Sequence, residues 1–275
     1  MTHRAEALAR TIIGIIGNII SFSLFISPTP TFWRIIQKKS TEEFHPYPYL
    51  ASVMNCVFWI FYGIPVVHPD SVLVVTINSI GLALELIYLC IFFIFTNKKN
   101  RITILLFLVS EIVFLAVIAT ITLLCFHTHE TRSMFVGIIC DIFGIIMYAS
   151  PLSIVRKVFK TKSVEFLPFW LCLAGFANGV VWFTYAFLKT FDPYIATGNG
   201  IGAILGFIQL CVYINFSCCR KTTLEGVKPS EVQLQKTEPD WTPSAPPINQ
   251  LYGEANAIDG NDKKVIGMNH GNTID

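Results

Sequence analysis

The sequence contains an internal duplication, which constrains the fold more than any other feature. The segment from Gly14 is repeated from Gly137, at an offset of 123 residues. Chance identities among Ile, Leu and Phe mean little in so apolar a chain, whereas matched polar residues, prolines and tryptophans are informative. Such pairs at this offset are Pro28 with Pro151, Asn55 with Asn178, Trp59 with Trp182, and Tyr62 with Tyr185; Asn78 matches Asn199 at an offset of 121. We therefore interpret the chain as two copies of one unit.

Each copy consists mainly of long apolar runs. Apolar side chains make up 53% of the 275 residues and charged ones only 14%. A run near 20 residues is long enough to cross a hydrocarbon core about 30 Å thick. Seven such runs predict an all-α integral membrane protein. They lie near residues 8–33, 47–66, 72–95, 102–126, 135–155, 168–188 and 194–216.

The position of the duplication predicts a layout of three, one and three helices. Residues 8–95 form the first three-helix repeat, 102–126 a linker helix and 135–216 the second repeat. Equivalent helices are four crossings apart, an even number, so the two repeats insert in the same direction. Residues 217–275 are rich in proline and polar residues, and we expect a disordered cytosolic tail.

The distribution of basic residues predicts the orientation. Lys and Arg are concentrated in one set of connections and are sparse in the other. Because cytosolic connections carry the excess of basic residues, the N-terminus should lie outside and the C-terminus in the cytosol. The charges do not cluster as a nucleic-acid footprint would, so no nucleic-acid partner is expected. The sequence indicates no metal or cofactor site, and the six histidines are placed in loops and tails.

Four prolines occupy matched positions near the predicted cytosolic side: Pro28, Pro48, Pro151 and Pro168. A proline inside a helix removes a backbone hydrogen bond and produces a kink. We interpret the four as hinges of a cytosolic gate. The alternative is that they only begin and end helices, which suits Pro48 and Pro168 better than Pro28 and Pro151.

Matched amides and indoles favour a binding site for a neutral polyol near the middle of the membrane. Asn55 and Trp59 are four residues apart and share a helix face, as do Asn178 and Trp182. An amide donates to and accepts from hydroxyl groups, and an indole face covers the apolar side of a pyranose. Asn78 and Asn199 complete the set. The alternative is that membrane asparagines join helices and tryptophans mark the interface.

Several other polar residues are candidates for a role. Tyr62 and Asp192, at the predicted outer ends of helices 2 and 6, would close an outer gate through a phenol-to-carboxylate hydrogen bond. Glu85 and Glu111 are acids within apolar runs, and such acids are functional candidates by default. Either would provide a route to proton dependence.

The chain resembles the plant SWEET sugar facilitators of the MtN3/saliva family, most closely the hexose-carrying branch. The resemblance covers residues 8 to about 216 and includes the motifs K-K-S-T-E-E-F, M-Y-A-S-P-L-S, K-T-K-S-V-E-F-L-P-F-W and G-N-G-I-G. SWEETs are a known example of parallel repeats. The resemblance implies bidirectional, energy-independent sugar uniport by alternating access. It further implies a plasma-membrane protein whose partners are a sugar substrate, the lipid bilayer and homo- or hetero-oligomers with related transporters.

The resemblance also implies roles for individual residues. Pro28, Pro48, Pro151 and Pro168 match the proline tetrad, Asn78, Asn199, Trp59 and Trp182 match the sugar pocket, and Tyr62 and Asp192 match the outer gate. Leu24, Asn55, Met147 and Asn178 stand where sucrose carriers have smaller residues, which implies a monosaccharide. Thr197-Gly198 and Ala186 depart from the usual pattern near helix 7 and the outer gate.

Other functional classes are less compatible with the sequence. An intramembrane enzyme would need a catalytic pair, and the H-E-x-x-H and P-loop motifs are absent. A seven-helix receptor would not need a parallel duplication. The closest alternative is a proton-coupled transporter of the PQ-loop type, although Thr29 and Leu152 stand where a glutamine would follow the helix-1 and helix-5 prolines.

Overall fold

The computed structural model describes residues 2–165 and 167–225, and all regular secondary structure in those ranges is α-helical. The helices are α1 (Thr2–Ile26), α2 (Thr29–Lys38), α3 (Tyr47–Gly63), α4 (Val72–Phe95), α5 (Lys98–Cys125), α6 (His129–Met147), α7 (Ala149–Thr161), α8 (Phe169–Phe187) and α9 (Pro193–Glu225).

Most of these helices can cross a membrane by length and composition. Six stretches of the described residues meet that condition, and two of them are helix pairs, α1 with α2 and α6 with α7. Helix α3 is apolar but has only 17 residues. The predicted all-α, multi-pass membrane protein is confirmed at this level.

The first and fifth predicted helices are each broken into two. Helix α1 ends at Ile26 and α2 begins at Thr29. Helix α6 ends at Met147 and α7 begins at Ala149. Pro28 is the residue that precedes α2, and Pro151 is the third residue of α7. A proline fits a first helical turn because its missing N–H would have no intrahelical partner there. The chain therefore breaks where the sequence predicted a kink.

Pro48 and Pro168 begin helices, as the simpler interpretation of the sequence held. Pro48 is the second residue of α3, and Pro168 directly precedes α8. All four prolines thus stand at or near a helix start. Their helix starts define one end of the bundle, called here the proline end. The opposite end, where α3 and α8 finish and α4 and α9 begin, is called the Tyr62 end.

The two sequence copies meet in a shared apolar core near the Tyr62 end. This core combines Tyr62 and Ile77 of the first copy with Val136, Trp182 and Tyr185 of the second. Helix α1 packs against α4 and α8, while α3 packs against α4, α5 and α6. A smaller core around Phe32 and Phe92 lies in the first copy and includes Ile104 of α5, and another around Val158 and Leu167 lies within the second copy.

Helix α9 is longer than its apolar run. It continues to Glu225, beyond residue 217, where the sequence analysis placed the start of a disordered tail. Between Gly206 and Gly226 the sequence has neither glycine nor proline, so nothing in the backbone ends the helix earlier. The rest of the predicted tail, residues 226–275, lies outside the described residues.

Candidate functional site

A cavity of about 320 Å³ lies between helices of both sequence copies. Its wall comes from α1, α3, α4, α8 and α9 and combines aliphatic, aromatic, amide and hydroxyl groups. The wall residues are Ser21, Leu24, Phe25, Ser52, Asn55, Trp59, Val74, Ile77, Asn78, Glu85, Asn178, Trp182, Ile195 and Asn199.

The cavity brings together most of the residues that the sequence proposed for substrate binding. Asn55 and Trp59 lie on α3, Asn178 and Trp182 on α8, Asn78 on α4, Asn199 on α9 and Leu24 on α1. The four-residue spacing on α3 and α8 places each amide beside an indole on one helix face. Met147, the last residue of α6, is not among the wall residues.

The two matched asparagines Asn78 and Asn199 make equivalent hydrogen bonds. The Asn78 side-chain amide donates to the carbonyl of Val74, and that of Asn199 to the carbonyl of Ile195, both at 2.9 Å. Each bond runs back one turn along the residue's own helix and fixes the side chain. These bonds use the amide nitrogens and leave the side-chain oxygen of each asparagine available as an acceptor.

The two amide-and-indole pairs are not equivalent. Ser21 on α1 accepts from the indole nitrogen of Trp182 at 2.9 Å and donates to Oδ1 of Asn178 at 2.5 Å. In the described part of the chain, the side chains of Asn55 and Trp59 have no such partner. The residue that corresponds to Ser21 in the second copy is Gly144, where an added Cβ would meet nothing within 4 Å. Ser21 therefore fixes Asn178 and Trp182, whereas no equivalent side chain fixes Asn55 and Trp59 among the described residues.

Tyr62 and Asp192 are joined by a hydrogen bond at the Tyr62 end of the bundle. The Tyr62 hydroxyl donates to Oδ2 of Asp192 at 2.8 Å, and both side chains are almost fully buried. Oδ1 of Asp192 accepts from the backbone amides of Tyr194 and Ile195, both at 3.1 Å. Asp192 thus caps the N-terminus of α9, where a negative charge is favourable, and links it to the last turn of α3.

His68 belongs to the same network, which the sequence analysis missed. Its Nε2 lies 3.3 Å from Oδ2 of Asp192, its Nδ1 lies 2.9 Å from the Ser133 hydroxyl, and its ring stacks on Tyr62. Burial lowers the pKa of His68, although the neighbouring Asp192 acts in the opposite direction. In the sequence, His68 lies between the helix that carries Tyr62 and the next apolar run, and this position was the only sequence signal that pointed to its role.

A second polar pair lies in the cavity wall, farther towards the proline end. Ser52 on α3 donates to Oε1 of Glu85 on α4 at 2.9 Å. Oε2 of Glu85 is buried and has no hydrogen-bond partner among the described residues. Glu111 on α5 also has a buried oxygen, Oε2, without a partner among the described residues, but Glu111 is not one of the wall residues. Of these two intramembrane acids, only Glu85 therefore contributes to the cavity.

Asn18 and Asp141 also match at an offset of 123 residues, but they are not hydrogen-bonded to each other among the described residues. Each has a buried side-chain oxygen, Oδ1, without a partner there. Asp141 lies close to Gly198, where an added Cβ would stand 3.0 Å from its Oδ1. The Tyr148 hydroxyl donates to the Gly198 carbonyl at 2.6 Å. Gly198 therefore faces Asp141 of α6 and Tyr148, the residue that follows α6.

Comparisons with known proteins agree with this architecture. The bidirectional sugar transporter SWEET4 of Arabidopsis thaliana is 54% identical over 216 residues, which cover 78% of this chain and 84% of the relative. SWEET7 of the same plant, also named a bidirectional sugar transporter, is 53% identical over 207 residues, which cover 75% and 80%. A solved structure of a eukaryotic SWEET transporter matches with a TM-score of 0.75 and 36% identity, over 78% of this chain and 99% of that one.

The family comparison covers both sequence copies. The profile of the family described as "Sugar efflux transporter for intercellular exchange" matches residues 11–100 and 134–221. The matched residues thus include every residue of the cavity wall named above. This chain belongs to that family, the MtN3/saliva or SWEET family of sugar transporters.

Proposed function

We propose that this protein is a bidirectional, energy-independent uniporter that moves monosaccharides of the glucose type by alternating access. Its family consists of sugar transporters, which are not enzymes. The observation that carries the proposal is the cavity between the two sequence copies, lined by three matched pairs of amides and indoles.

The size and chemistry of the cavity suit a small neutral polyol. Its volume of about 320 Å³ is near the lower end of the range of roughly 300–1,000 Å³ for small-molecule sites. Leu24, Asn55 and Asn178 narrow it, which favours a monosaccharide over a disaccharide. Trp59 and Trp182 provide apolar faces and the asparagines provide donors and acceptors. Met147, outside the wall in this conformation, would narrow the cavity only after α6 moves.

The transport cycle that we propose uses the two ends of the bundle in turn. Residues 8–95 and 135–216 act as two parallel three-helix units joined by the linker helix 102–126. The hydrogen bond between Tyr62 and Asp192 closes one end. At the other end, the chain is interrupted between helices beside Pro28 and Pro151, and helices start at Pro48 and Pro168. These points allow that end to open and close.

The proposed orientation follows from the charges of the connections. The proline end, with its basic connections, faces the cytosol, and the Tyr62 end faces outwards. We also propose that the protein lies in the plasma membrane and that it associates there with itself or with related transporters. Residues 226–275 would form a cytosolic tail. Binding must be weak for sugar to leave quickly, so we expect a Kd in the millimolar range, about −4 kcal/mol.

The experiment that tests this function measures uptake and efflux of labelled glucose, fructose and sucrose in cells without their own sugar carriers, at two external pH values. We expect hexose flux in both directions, independent of pH and weak for sucrose. Strong sucrose flux would contradict the size argument from Leu24, Asn55, Met147 and Asn178. Absence of any sugar flux from protein shown to be at the surface would contradict the proposed function.

One observation favours a second candidate, proton-coupled sugar transport. Glu85 is a carboxyl in the cavity wall, and proton coupling needs such a group. The two pH arms of the experiment separate the candidates. Uptake that rises severalfold in acid, and that accumulates sugar against its gradient, would replace uniport by proton coupling.

A further inference from the structure

The contacts within the fold satisfy only part of the hydrogen-bonding capacity of the Glu85 carboxyl. Its side chain is 5% exposed, and one oxygen is occupied by the Ser52 hydroxyl while the other has no partner in the described part of the chain. Among the described residues, the cavity wall contains no basic side chain that would neutralise this carboxyl. A carboxyl buried within a membrane with unfilled hydrogen-bonding capacity is costly, so its presence calls for a ligand or a proton.

Glu85 and Ser52 form a second polar level in the cavity. On α4, Glu85 follows Asn78 by seven residues, and on α3, Ser52 precedes Trp59 by seven. Seven residues make about two helical turns, or about 10 Å, so each pair of positions shares a helix face. Because α3 and α4 run in opposite directions and pack together, Ser52 and Glu85 lie at one depth and Trp59 and Asn78 at another. The Ser52 level is nearer to the proline end.

This second level exists in only one sequence copy. The residues that correspond to Ser52 and Glu85 in the second copy are Gly175 and Gly206. An added Cβ at Gly175 would meet nothing within 4 Å, and Gly206 packs against the backbone of Phe176. The repeated fold therefore forms without a carboxyl at this position.

We propose that Glu85, together with Ser52, is a second binding position for the hydroxyl groups of the transported sugar, on the path between the asparagine level and the proline end. A carboxyl accepts hydrogen bonds from neighbouring hydroxyl groups and, when protonated, also donates one. Glu85 is one of the wall residues, so a small change of its side-chain rotamer brings this carboxyl to a ligand in the cavity. The ligand class is a neutral polyhydroxylated molecule. This inference rests on the proposed function.

The test compares substitutions at Glu85 with the same substitutions at Glu111, a buried acid that is not in the wall. Labelled glucose uptake is measured at equal surface expression for Glu85→Gln, Glu85→Leu, Glu111→Gln and Glu111→Leu. Because the amide of Gln still hydrogen-bonds hydroxyl groups, we expect Glu85→Gln to stay within about threefold of the wild type in kcat/KM. Glu85→Leu should lower kcat/KM by about tenfold or more, chiefly through KM. Both Glu111 variants should transport like the wild type.

Deoxyglucoses provide a readout that a purely structural role would not change. If Glu85 binds one sugar hydroxyl, the analogue without that hydroxyl should be transported about equally by wild type and Glu85→Leu. If Glu85→Leu does not reach the surface, Ser52→Ala replaces it and should raise KM severalfold with the same analogue preference.

Three outcomes would overturn the inference while wild-type glucose flux stands. The first is normal transport by Glu85→Leu at the surface. The second is a loss in Glu85→Gln as large as in Glu85→Leu, which would show that the proton and not the hydrogen bond matters. The third is an equal loss in the Glu111 variants. Absence of flux in the wild type would instead contradict the proposed function.

Discussion

Tyr62 donates a hydrogen bond of 2.8 Å to Asp192, a residue 130 positions away in the other sequence copy. The bond connects the last turn of α3 to the N-terminal cap of α9. Both side chains are buried, so the hydroxyl and the carboxylate have little access to water as an alternative partner. A rearrangement that separates α3 from α9 at this end must break this bond, which makes it a measurable part of the energy of opening.

Removal of the Tyr62 hydroxyl should favour the open state of the Tyr62 end. Tyr62→Phe deletes one hydrogen bond to a buried carboxylate, worth about 1.5–3 kcal/mol, and should increase opening about tenfold or more. The measurement is the rate at which a membrane-impermeant maleimide outside the cell modifies a cysteine introduced at Val74, a wall residue, with the exposed Cys125 replaced by serine.

Tyr185→Phe is the matched control for that experiment. Tyr185 occupies the equivalent position in the second copy, and its hydroxyl has no hydrogen bond within the described residues. Its ring stacks beneath Arg10 at 4.6 Å, a contact that Phe retains. Modification of the Val74→Cys protein should stay at the wild-type rate in this control. Equal acceleration by both substitutions would contradict a specific role of the bond between Tyr62 and Asp192.

His68 should make the folded protein less stable in mild acid. Burial lowers the folded-state pKa of His68 below the unfolded value of about 6.5. The unfolded chain therefore binds more protons than the folded one in this range, and stability falls as the pH decreases from 7 to 5. The groups that contribute to this environment are Asp192, Arg10, Asp70 and His129. Thermal unfolding in detergent should show a smaller loss of Tm over this range for His68→Gln.

The control for the acid effect is His45→Gln, which removes an exposed imidazole on another loop and should keep the wild-type pH profile. Asp70, whose pKa is lowered by its contact with Lys189, would lose its contribution only in stronger acid, below about pH 4. A profile in which His68→Gln loses as much Tm as the wild type between pH 7 and 5 would contradict the assignment.

Ser21 should affect sugar affinity although the sequence analysis did not select it. Ser21→Ala leaves the buried indole N–H of Trp182 without its acceptor and releases Asn178. An unsatisfied buried group costs about 1–3 kcal/mol, so the KM for glucose should rise about fivefold or more. At the duplicated position, Gly144→Ala places a methyl group in open space and should transport like the wild type. An unchanged KM in Ser21→Ala would show that this anchoring is not needed.

Much of the architecture was predictable because the duplication and the apolar runs constrain it. Spacing alone grouped Asn55 with Trp59 and Asn178 with Trp182, since four residues make about one helical turn. Spacing on one helix could not group Asn78 with Asn199, and only the match between the two copies did so. All six residues lie in the cavity wall, although their binding role stays a prediction.

What the sequence did not predict depends on contacts between distant residues. The duplication implies a symmetric pocket, but Ser21 lacks an equivalent in the second copy and makes the two sides different. The sequence places His68 in a loop and indicates no role for it, whereas the path of the chain after α3 brings it to Asp192. A proline in an apolar run predicts only that the helix is disturbed there. In the structure the helix ends near the proline and a new helix begins.

The contact between α8 and α9 should depend on Gly179. A Cβ at Gly179 would lie 2.7 Å from the backbone nitrogen of Ala203 and 2.9 Å from its Cα, and backbone atoms cannot move aside as a side chain does. Small residues allow such close approach between membrane helices. Gly179→Ala should therefore force α8 and α9 apart and reduce stability by about 1–3 kcal/mol, measured as a lower Tm in detergent.

Gly175→Ala tests whether this effect is steric. Gly175 lies one turn earlier on the same helix, and its added Cβ would meet nothing within 4 Å. Because Ala has a better helix propensity than Gly by about 0.8–1.0 kcal/mol, this variant should keep or slightly raise the Tm. A similar fall of Tm in both variants would mean that backbone flexibility in α8, and not the close approach to Ala203, is the property that glycine provides.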